Sequence, residues 1–161
     1  MHLSVPVNAT LEDLDGFLRD IWLECCGHLS AFTIEGTRHS ISPIGEYDER
    51  GMKVALSDVL ASGIKFYHEY DFGTTTELTL RVVSEHEGED KSESIQLLAR
   101  NDPPLIACDS CGKIATQVCT ECIWSGKGWL CNECAREHGC SEEMLLPVVN
   151  SPRVGMCGYT G

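Results

Sequence analysis

Segments that would direct a chain into a membrane or out of the cell are not expected in this sequence. Its first ten residues contain no basic stretch followed by an apolar one, so we expect no signal peptide. The apolar runs, such as residues 103–107, are far too short to cross a bilayer. We therefore expect a cytoplasmic protein, in which cysteines are more suited to binding metal as thiolates than to forming disulfides.

Positive charge is also scarce. The 161 residues include 12 Lys and Arg against 25 Asp and Glu, which gives a formal net charge of −13. Six acidic and four basic residues fall within 105–161, so most of the negative charge lies in residues 1–104. A protein that binds duplex nucleic acid normally carries a basic face, because neutralised phosphates supply much of the affinity. The composition works against nucleic acid and anionic membranes and is compatible with a basic protein partner.

Motifs for catalysis are missing as well. The sequence has no Walker loop, no dinucleotide fingerprint and no HExxH motif. His28, His68, Tyr70 and Asp71 are the polar residues that could surround a pocket at one hairpin, but no nucleophile–base pair accompanies them. We expect structural roles for them and assign no catalytic residue, so an enzyme with a site at the His28/Asp71 hairpin is the least favoured alternative.

Cysteine, in contrast, is abundant, with ten residues in the chain. Eight metal-type ligands are crowded into residues 108–140, and one further cysteine follows near the end of the sequence. These candidate ligands are Cys108, Cys111, Cys119, Cys122, Cys131, Cys134, His138, Cys140 and Cys157. Three CxxC pairs in one short segment are hard to explain by core packing, and thiolate with imidazole is the donor set that zinc prefers. Because the donors are mostly thiolates and numerous enough to close two sites, we expect two structural zinc ions.

The pairs can be connected in two ways. A sequential arrangement places Cys108, Cys111, Cys119 and Cys122 on one ion. A cross-braced arrangement places Cys108, Cys111, Cys131 and Cys134 on one ion, and Cys119, Cys122, His138 and either Cys140 or Cys157 on the other. The spacing resembles that of B-box and related treble-knuckle zinc fingers, in which the first and third pairs share a metal, and we favour the cross-brace. The choice between Cys140 and Cys157 stays open.

Hydrophobic periodicity predicts an α+β fold for the rest of the chain. One long helix is expected over 11–26, with Thr10 as its N-cap and an apolar stripe from Leu11 to Cys25. Strands are expected over 3–7, 29–35, 37–41 and 94–99, and a short helix is expected near Leu56–Leu60. A hairpin is expected around Gly73–Thr75, and its first strand should present Phe66, His68, Tyr70 and Phe72 on one face. Loops are expected over 42–52 and 85–94. We expect a small antiparallel or mixed sheet in a domain over 1–100, a linker near 101–104 and a zinc-binding domain over 105–161.

The N-terminal part resembles the plasmid pRiA4b ORF-three-like family, over roughly residues 5–85. The matching positions are Thr10, Leu11 and Leu14 in the helix, His28, Leu29, Phe32 and Ile34 in the first strand, and Tyr70-Asp71-Phe72-Gly73 at the hairpin turn. The family's Asp, Trp and His after this turn are replaced here by Thr74, Thr76 and Leu78. The resemblance implies an α+β domain and an association with prokaryotes and mobile elements, and it implies no reaction.

Two functions are consistent with these patterns. We favour a non-enzymatic adaptor that binds another protein of unknown identity. The alternative is a nucleic-acid-associated factor of a mobile element, acting through the loop between the second and third CxxC pairs. In that loop Trp124 and Lys127 could contact a partner, whereas Trp129 is expected to cover the zinc sites.

Overall fold

The computed structural model describes residues 1–44, 49–87 and 94–161. The chain divides into two compact units, the first made of Met1–Asp20 and Gly27–Asn101 and the second of Ile21–Cys26 and Asp102–Gly161. The predicted loops over 42–52 and 85–94 fall partly on residues 45–48 and 88–93, which lie outside the described residues. Within the described ranges, no helix is long and apolar enough to span a membrane.

The first unit has the predicted α+β class. Its strands are β1 His2–Ser4, β2 Ser30–Ile34, β3 Thr37–Ser40, β4 Glu49–Gly51, β5 Lys65–Tyr70, β6 Thr76–Arg81 and β7 Gln96–Ala99, and its helices are α1 Leu11–Leu18 and α2 Leu56–Val59. Five strands form a mixed sheet in the order β4-β3-β2-β5-β6, in which only the β3–β4 pair is parallel. Strands β1 and β7 pair separately and antiparallel.

Helix α1 begins as predicted but ends earlier. Thr10 caps it through a reciprocal capping box with Asp13, and Leu11, Leu14 and Leu18 are buried. After Leu18 the chain continues as a π-helical turn over Arg19–Leu23, so the prediction of one helix over 11–26 is wrong in its second half. The wider π turn places Leu23, five residues after Leu18, in the buried position that an α-helix would give to residue 21 or 22.

The centre of the five-stranded sheet packs aromatic and polar side chains together. The rings of Phe32 and His68 lie 4.6 Å apart, and both side chains are fully buried. The Nε2 atom of His68 lies 2.6 Å from the carboxylate of Asp15, a buried residue of α1. The expected alternation of β5 holds for Phe66, His68 and Tyr70, which are all buried. It fails at Phe72, which is exposed because the strand ends at Tyr70 and the next residue has a positive φ.

The second unit is small and built around its cysteines. It contains β8 Gln117–Cys119, β9 Trp129–Leu130, β10 Leu145–Pro147 and the short helix α3 Asn132–Arg136. Its sheet has the order β10-β8-β9, with both pairs antiparallel. Its buried cluster consists of Cys108, Cys119, Leu130, Cys131 and Ala135. Cysteine thus fills positions that aliphatic side chains hold in an ordinary core.

Candidate metal centres

Two groups of four donors lie within the second unit. Cluster A consists of Cys108, Cys111, Cys131 and Cys134, and cluster B consists of Cys119, Cys122, His138 and Cys140. In each cluster the four donor atoms lie within 4.8 Å of one another. The first CxxC pair therefore meets the third, which is the cross-braced arrangement, and Cys140 rather than Cys157 is the fourth member of cluster B.

The donor spacing fits a tetrahedral metal ion. Zinc–sulfur bonds of about 2.3 Å place two sulfurs of a tetrahedral site about 3.8 Å apart. The Sγ atoms of Cys111 and Cys131 are 3.6 Å apart in cluster A. In cluster B the Sγ atom of Cys122 lies 3.6 Å from that of Cys140 and 3.4 Å from the Nε2 atom of His138. Both clusters can therefore hold a metal ion with small adjustments of their side chains.

Backbone turns place the thiols of cluster A. Gly112, with φ of +73°, lets the chain turn directly after Cys111, and its N–H donates to the carbonyl of Cys108 over 2.9 Å. A backbone hydrogen bond from Cys131 lowers the pKa of Cys108 to about 6, which favours its thiolate. Hydrogen bonds with the thiols of Cys111 and Cys131 raise the pKa of Cys134 to about 12. A divalent cation would displace the proton that these thiols share.

Cluster B, like cluster A, contains one thiol with a lowered pKa and one with a raised pKa. Burial raises the pKa of Cys119, but hydrogen bonds from the backbone amides of Cys122 and Glu121 oppose it, and the pKa falls to about 7. The pKa of Cys140 is raised to about 12 by hydrogen bonds with the thiols of Cys122 and Cys119. Because a cation stabilises all thiolates at once, binding of metal would release a proton here too.

The β8–β9 hairpin explains why the pairs interleave. Gln117 pairs with Leu130 and Val118 with Trp129, so the two strands run in opposite directions. Cys119 ends β8 at one end of this hairpin, and Cys131 follows β9 at the other. By this register the two cysteines are separated by about three residues along the hairpin, or about 10 Å, which is too far for one ion. One end of the hairpin therefore contributes Cys119 to cluster B, and the other end contributes Cys131 to cluster A.

The loop between the second and third CxxC pairs returns closely on itself. Gly128 accepts a backbone hydrogen bond from Cys119 over 2.8 Å. A Cβ atom at Gly128 would lie 2.5 Å from the backbone nitrogen of Ile123 and 2.9 Å from the carbonyl oxygen of Cys119. Only glycine therefore fits at this position. At the tip of the loop Trp124 is exposed, whereas Trp129 is half-buried.

The ninth predicted ligand, Cys157, joins two cysteines that the sequence analysis had not assigned to metal. Its Sγ atom is 3.5 Å from that of Cys26, which in turn is 3.7 Å from that of Cys25. We call Cys25, Cys26 and Cys157 cluster C; all three belong to the second unit. Cys25 is only half-buried and lies beyond the π-helical turn, so its expected place on the apolar stripe of a long helix is wrong. The vicinal Cys-Cys pair was the available sequence signal, but its partner is 131 residues away.

The polar residues of the first unit that could have formed a catalytic pocket are divided between two pairs. His68 is buried against Asp15, while the Nδ1 atom of His28 lies 3.5 Å from the carboxylate of Asp71. Tyr70 is fully buried and packs edge-on against the ring of His28. Asp71 has a φ of +63° and accepts a hydrogen bond from the N–H of Gly73, the turn-capping role expected for it.

No protein-family model matches the chain, and neither a curated protein nor a solved structure shows significant similarity to it. The resemblance to the plasmid pRiA4b ORF-three-like family therefore stays a prediction.

Proposed function

We propose that the protein is a non-enzymatic zinc protein, in which two zinc ions in clusters A and B fold a small module that binds another protein. The observation that carries this proposal is that each cluster already contains four donors from the chain itself. A catalytic zinc site keeps one coordination position for water or substrate, whereas a structural site is closed by its own residues. Four donors at each ion are what a structural role requires.

The choice of zinc follows from the donor chemistry. Clusters A and B together offer seven thiols and one imidazole. This soft set suits zinc or an iron–sulfur centre and is poorly suited to magnesium or calcium. A single histidine with thiolates at tetrahedral spacing is typical of structural zinc. Because thiolates must stay reduced to bind, we place the protein in a reducing compartment such as the cytoplasm.

The second unit needs the metal in order to fold. Apart from cysteine, few of its apolar side chains are fully buried, and they are mostly small or medium in size, such as Ala115, Val118, Leu130 and Ala135. Structural zinc contributes apparent binding free energies of about 10–16 kcal/mol in zinc-finger peptides, which is ample for a core of this size. We therefore expect metal binding and folding of this unit to be one event.

The interaction role is supported by an exposed aromatic side chain on a fixed loop. Trp124 is 67% exposed and lies in a 3₁₀ turn that directly follows the cluster B ligand Cys122. Tryptophan on a rigid loop is a frequent centre of binding energy in protein interfaces. The net charge of −13 favours a basic or neutral protein partner over nucleic acid. A nucleic-acid role would require a gel shift that weakens as salt is added.

Metal analysis of single variants tests the two zinc sites. Cys111→Ser and Cys122→Ser are each expected to lose one zinc ion in native mass spectrometry, because each removes one donor from a different cluster. After cobalt substitution of Cys157→Ser, a variant that keeps every ligand of clusters A and B, added azide or imidazole should leave the visible spectrum unchanged, since closed sites have no position for them. Unchanged zinc content in either variant, or a spectrum that responds to azide, would contradict the proposal.

The interaction role needs its own experiment. Affinity capture from the native host should recover a partner with the zinc-loaded chain and lose it with Trp124→Ala. Val83→Ala is the matched control, because it removes an exposed apolar side chain from the first unit and leaves the zinc module intact. Recovery that depends on neither Trp124 nor zinc would argue against binding through this loop.

A further inference from the structure

We propose that cluster C is a third metal site, built from Cys25, Cys26 and Cys157 and selective for a soft divalent cation of the zinc type. The three thiols come from two segments of the second unit that lie far apart in the sequence. The proposal uses none of the ligands of clusters A and B and stands or falls separately from them.

The sulfur atoms of cluster C are spaced as the ligands of a single ion would be. The Sγ atoms of Cys25 and Cys26 are 3.7 Å apart, and those of Cys26 and Cys157 are 3.5 Å apart. All three Sγ atoms lie within 4.8 Å of one another. These separations match the edge of about 3.8 Å in a tetrahedral thiolate site. They are far longer than a disulfide bond of about 2.05 Å, and one disulfide would in any case leave the third thiol unused.

Hydrogen bonds that do not involve the thiols hold the two segments of cluster C together. The indole N–H of Trp22 donates to the backbone carbonyl of Asn150 over 2.9 Å. In return, the hydroxyl of Ser151 donates to the carbonyl of Trp22 over 2.6 Å and accepts from the N–H of Arg153 over 2.8 Å. These bonds fix the approach of the segments independently of the thiols. Once clusters A and B are loaded, the donors of cluster C are thus arranged before the third cation binds.

A buried positive charge lies beside the thiols of cluster C. The guanidinium of Arg153 is fully buried and donates a hydrogen bond to the Sγ atom of Cys25 over 3.6 Å. A buried cation is costly unless a negative group compensates it. Three thiolates around a divalent cation leave one net negative charge, and Arg153 is placed to neutralise it. A hydrogen bond to a ligand sulfur is also the usual way in which proteins tune a metal thiolate.

Core packing does not account for these thiols. Cys26 and Cys157 are both exposed, unlike the buried Cys108, Cys119 and Cys131 of the first two clusters. The backbone of Cys157 also has a φ of +48°, a conformation that residues other than glycine adopt only at a cost in free energy. Because two of its ligands face solvent, the third ion is expected to leave before the other two when a chelator is added.

Native mass spectrometry and thiol footprinting together test the site. Zinc-loaded wild type is expected to carry three ions and Cys157→Ser two. Iodoacetamide followed by peptide mapping should show Cys25 and Cys26 reactive in Cys157→Ser, with Cys119 and Cys122 still protected. Cys140→Ser is the matched control and should give the reverse pattern, because it removes a ligand of cluster B. Both variants lose one ion, so the footprint identifies which ion has gone.

Cluster C as a metal site is overturned if zinc-loaded wild type carries two ions while Cys25, Cys26 and Cys157 are alkylated as fast as in the chelated chain. Failure of the zinc assignment for clusters A and B would look different, since the thiols of those clusters would then be the reactive ones.

Discussion

Gly128 offers a way to weaken one metal centre without touching any ligand. In Gly128→Ala the new Cβ would lie 2.5 Å and 2.6 Å from the backbone N and Cα of Ile123, and 2.9 Å from the carbonyl oxygen of Cys119. Ordinary contact begins at 3.4 Å, so the backbone must retreat by about 0.9 Å. The atoms in the way belong to backbone and have no rotamer through which to escape. The loop and the end of β8 must therefore move apart.

The cost is expected to fall on cluster B. Cys119 is itself a ligand, and Ile123 directly follows the ligand Cys122, so the displacement changes the distance between two donors. Overpacking of a dense interior costs about 1–3 kcal/mol, and a clash with fixed backbone belongs at the upper end. If about 3 kcal/mol falls on the metal-bound state, the affinity of cluster B weakens by roughly 150-fold. Cluster A, at the other end of the hairpin, should change much less.

Competition with a chromophoric zinc chelator measures the zinc affinity of cluster B directly. The cluster B ion of Gly128→Ala should be released at a chelator concentration about two orders of magnitude lower than the cluster B ion of wild type. Gly139→Ala is the control, because no atom lies within 4 Å of its Cβ position and its φ is not positive. If every ion bound to Gly128→Ala as tightly as to wild type, the reasoning would be refuted. The close approach of Gly128 to Ile123 and Cys119 would then not contribute to metal affinity.

The first unit permits further predictions that urea unfolding monitored by circular dichroism can check. Thr10→Ala should lower the free energy of unfolding by about 1 kcal/mol, because it removes the cap of α1. Hydrogen bonds from the backbone and side chain of Thr10 lower the pKa of the Asp13 carboxyl. The stability that wild type gains over Asp13→Ala should therefore be present at pH 7 and disappear as the pH falls below about 4, and a gain that persisted at low pH would contradict this. Asp15→Ala should cost about 1–3 kcal/mol, because it leaves a buried ring nitrogen of His68 without its hydrogen-bond partner. Asp15→Leu combined with His68→Leu should cost less than the sum of these two changes made singly.

The sequence alone predicts the local parts of the candidate sites well. A two-residue gap forces both sulfurs of a CxxC pair toward the same ion, so the pairs themselves follow from spacing. The interleaving of Cys108 with Cys131 depends on a hairpin too short to show hydrophobic alternation, and it was inferred from resemblance to known zinc fingers. The partners of Cys157 could not be found in this way, because Cys26 is 131 residues away and only tertiary structure brings them together.

In the first unit, too, the sequence predicted local elements better than features that depend on tertiary structure. The sequence pattern identified the start of α1 and the strands β2, β3, β5 and β6 of the five-stranded sheet. It missed β4, because Glu49–Gly51 falls in the segment 42–52 that was predicted as a loop. It missed the π-helical turn after Leu18, since apolar residues at 21, 22 and 23 are compatible with either helical geometry. It also missed Asp15, whose burial becomes intelligible only when His68 is placed 2.6 Å away from it.

The antiparallel hairpin of β8 and β9 would make the two proposed zinc centres thermodynamically dependent on each other. A cation at either end must order the same two strands, and the entropy of ordering them is lost only once. The second cation then binds to a hairpin that is already formed, so it binds more tightly than the first. Loading of the module should accordingly be steeper in free zinc concentration than the loading of two independent sites. A chain built in this way would switch between an ordered and a disordered tail over a narrow range of zinc supply.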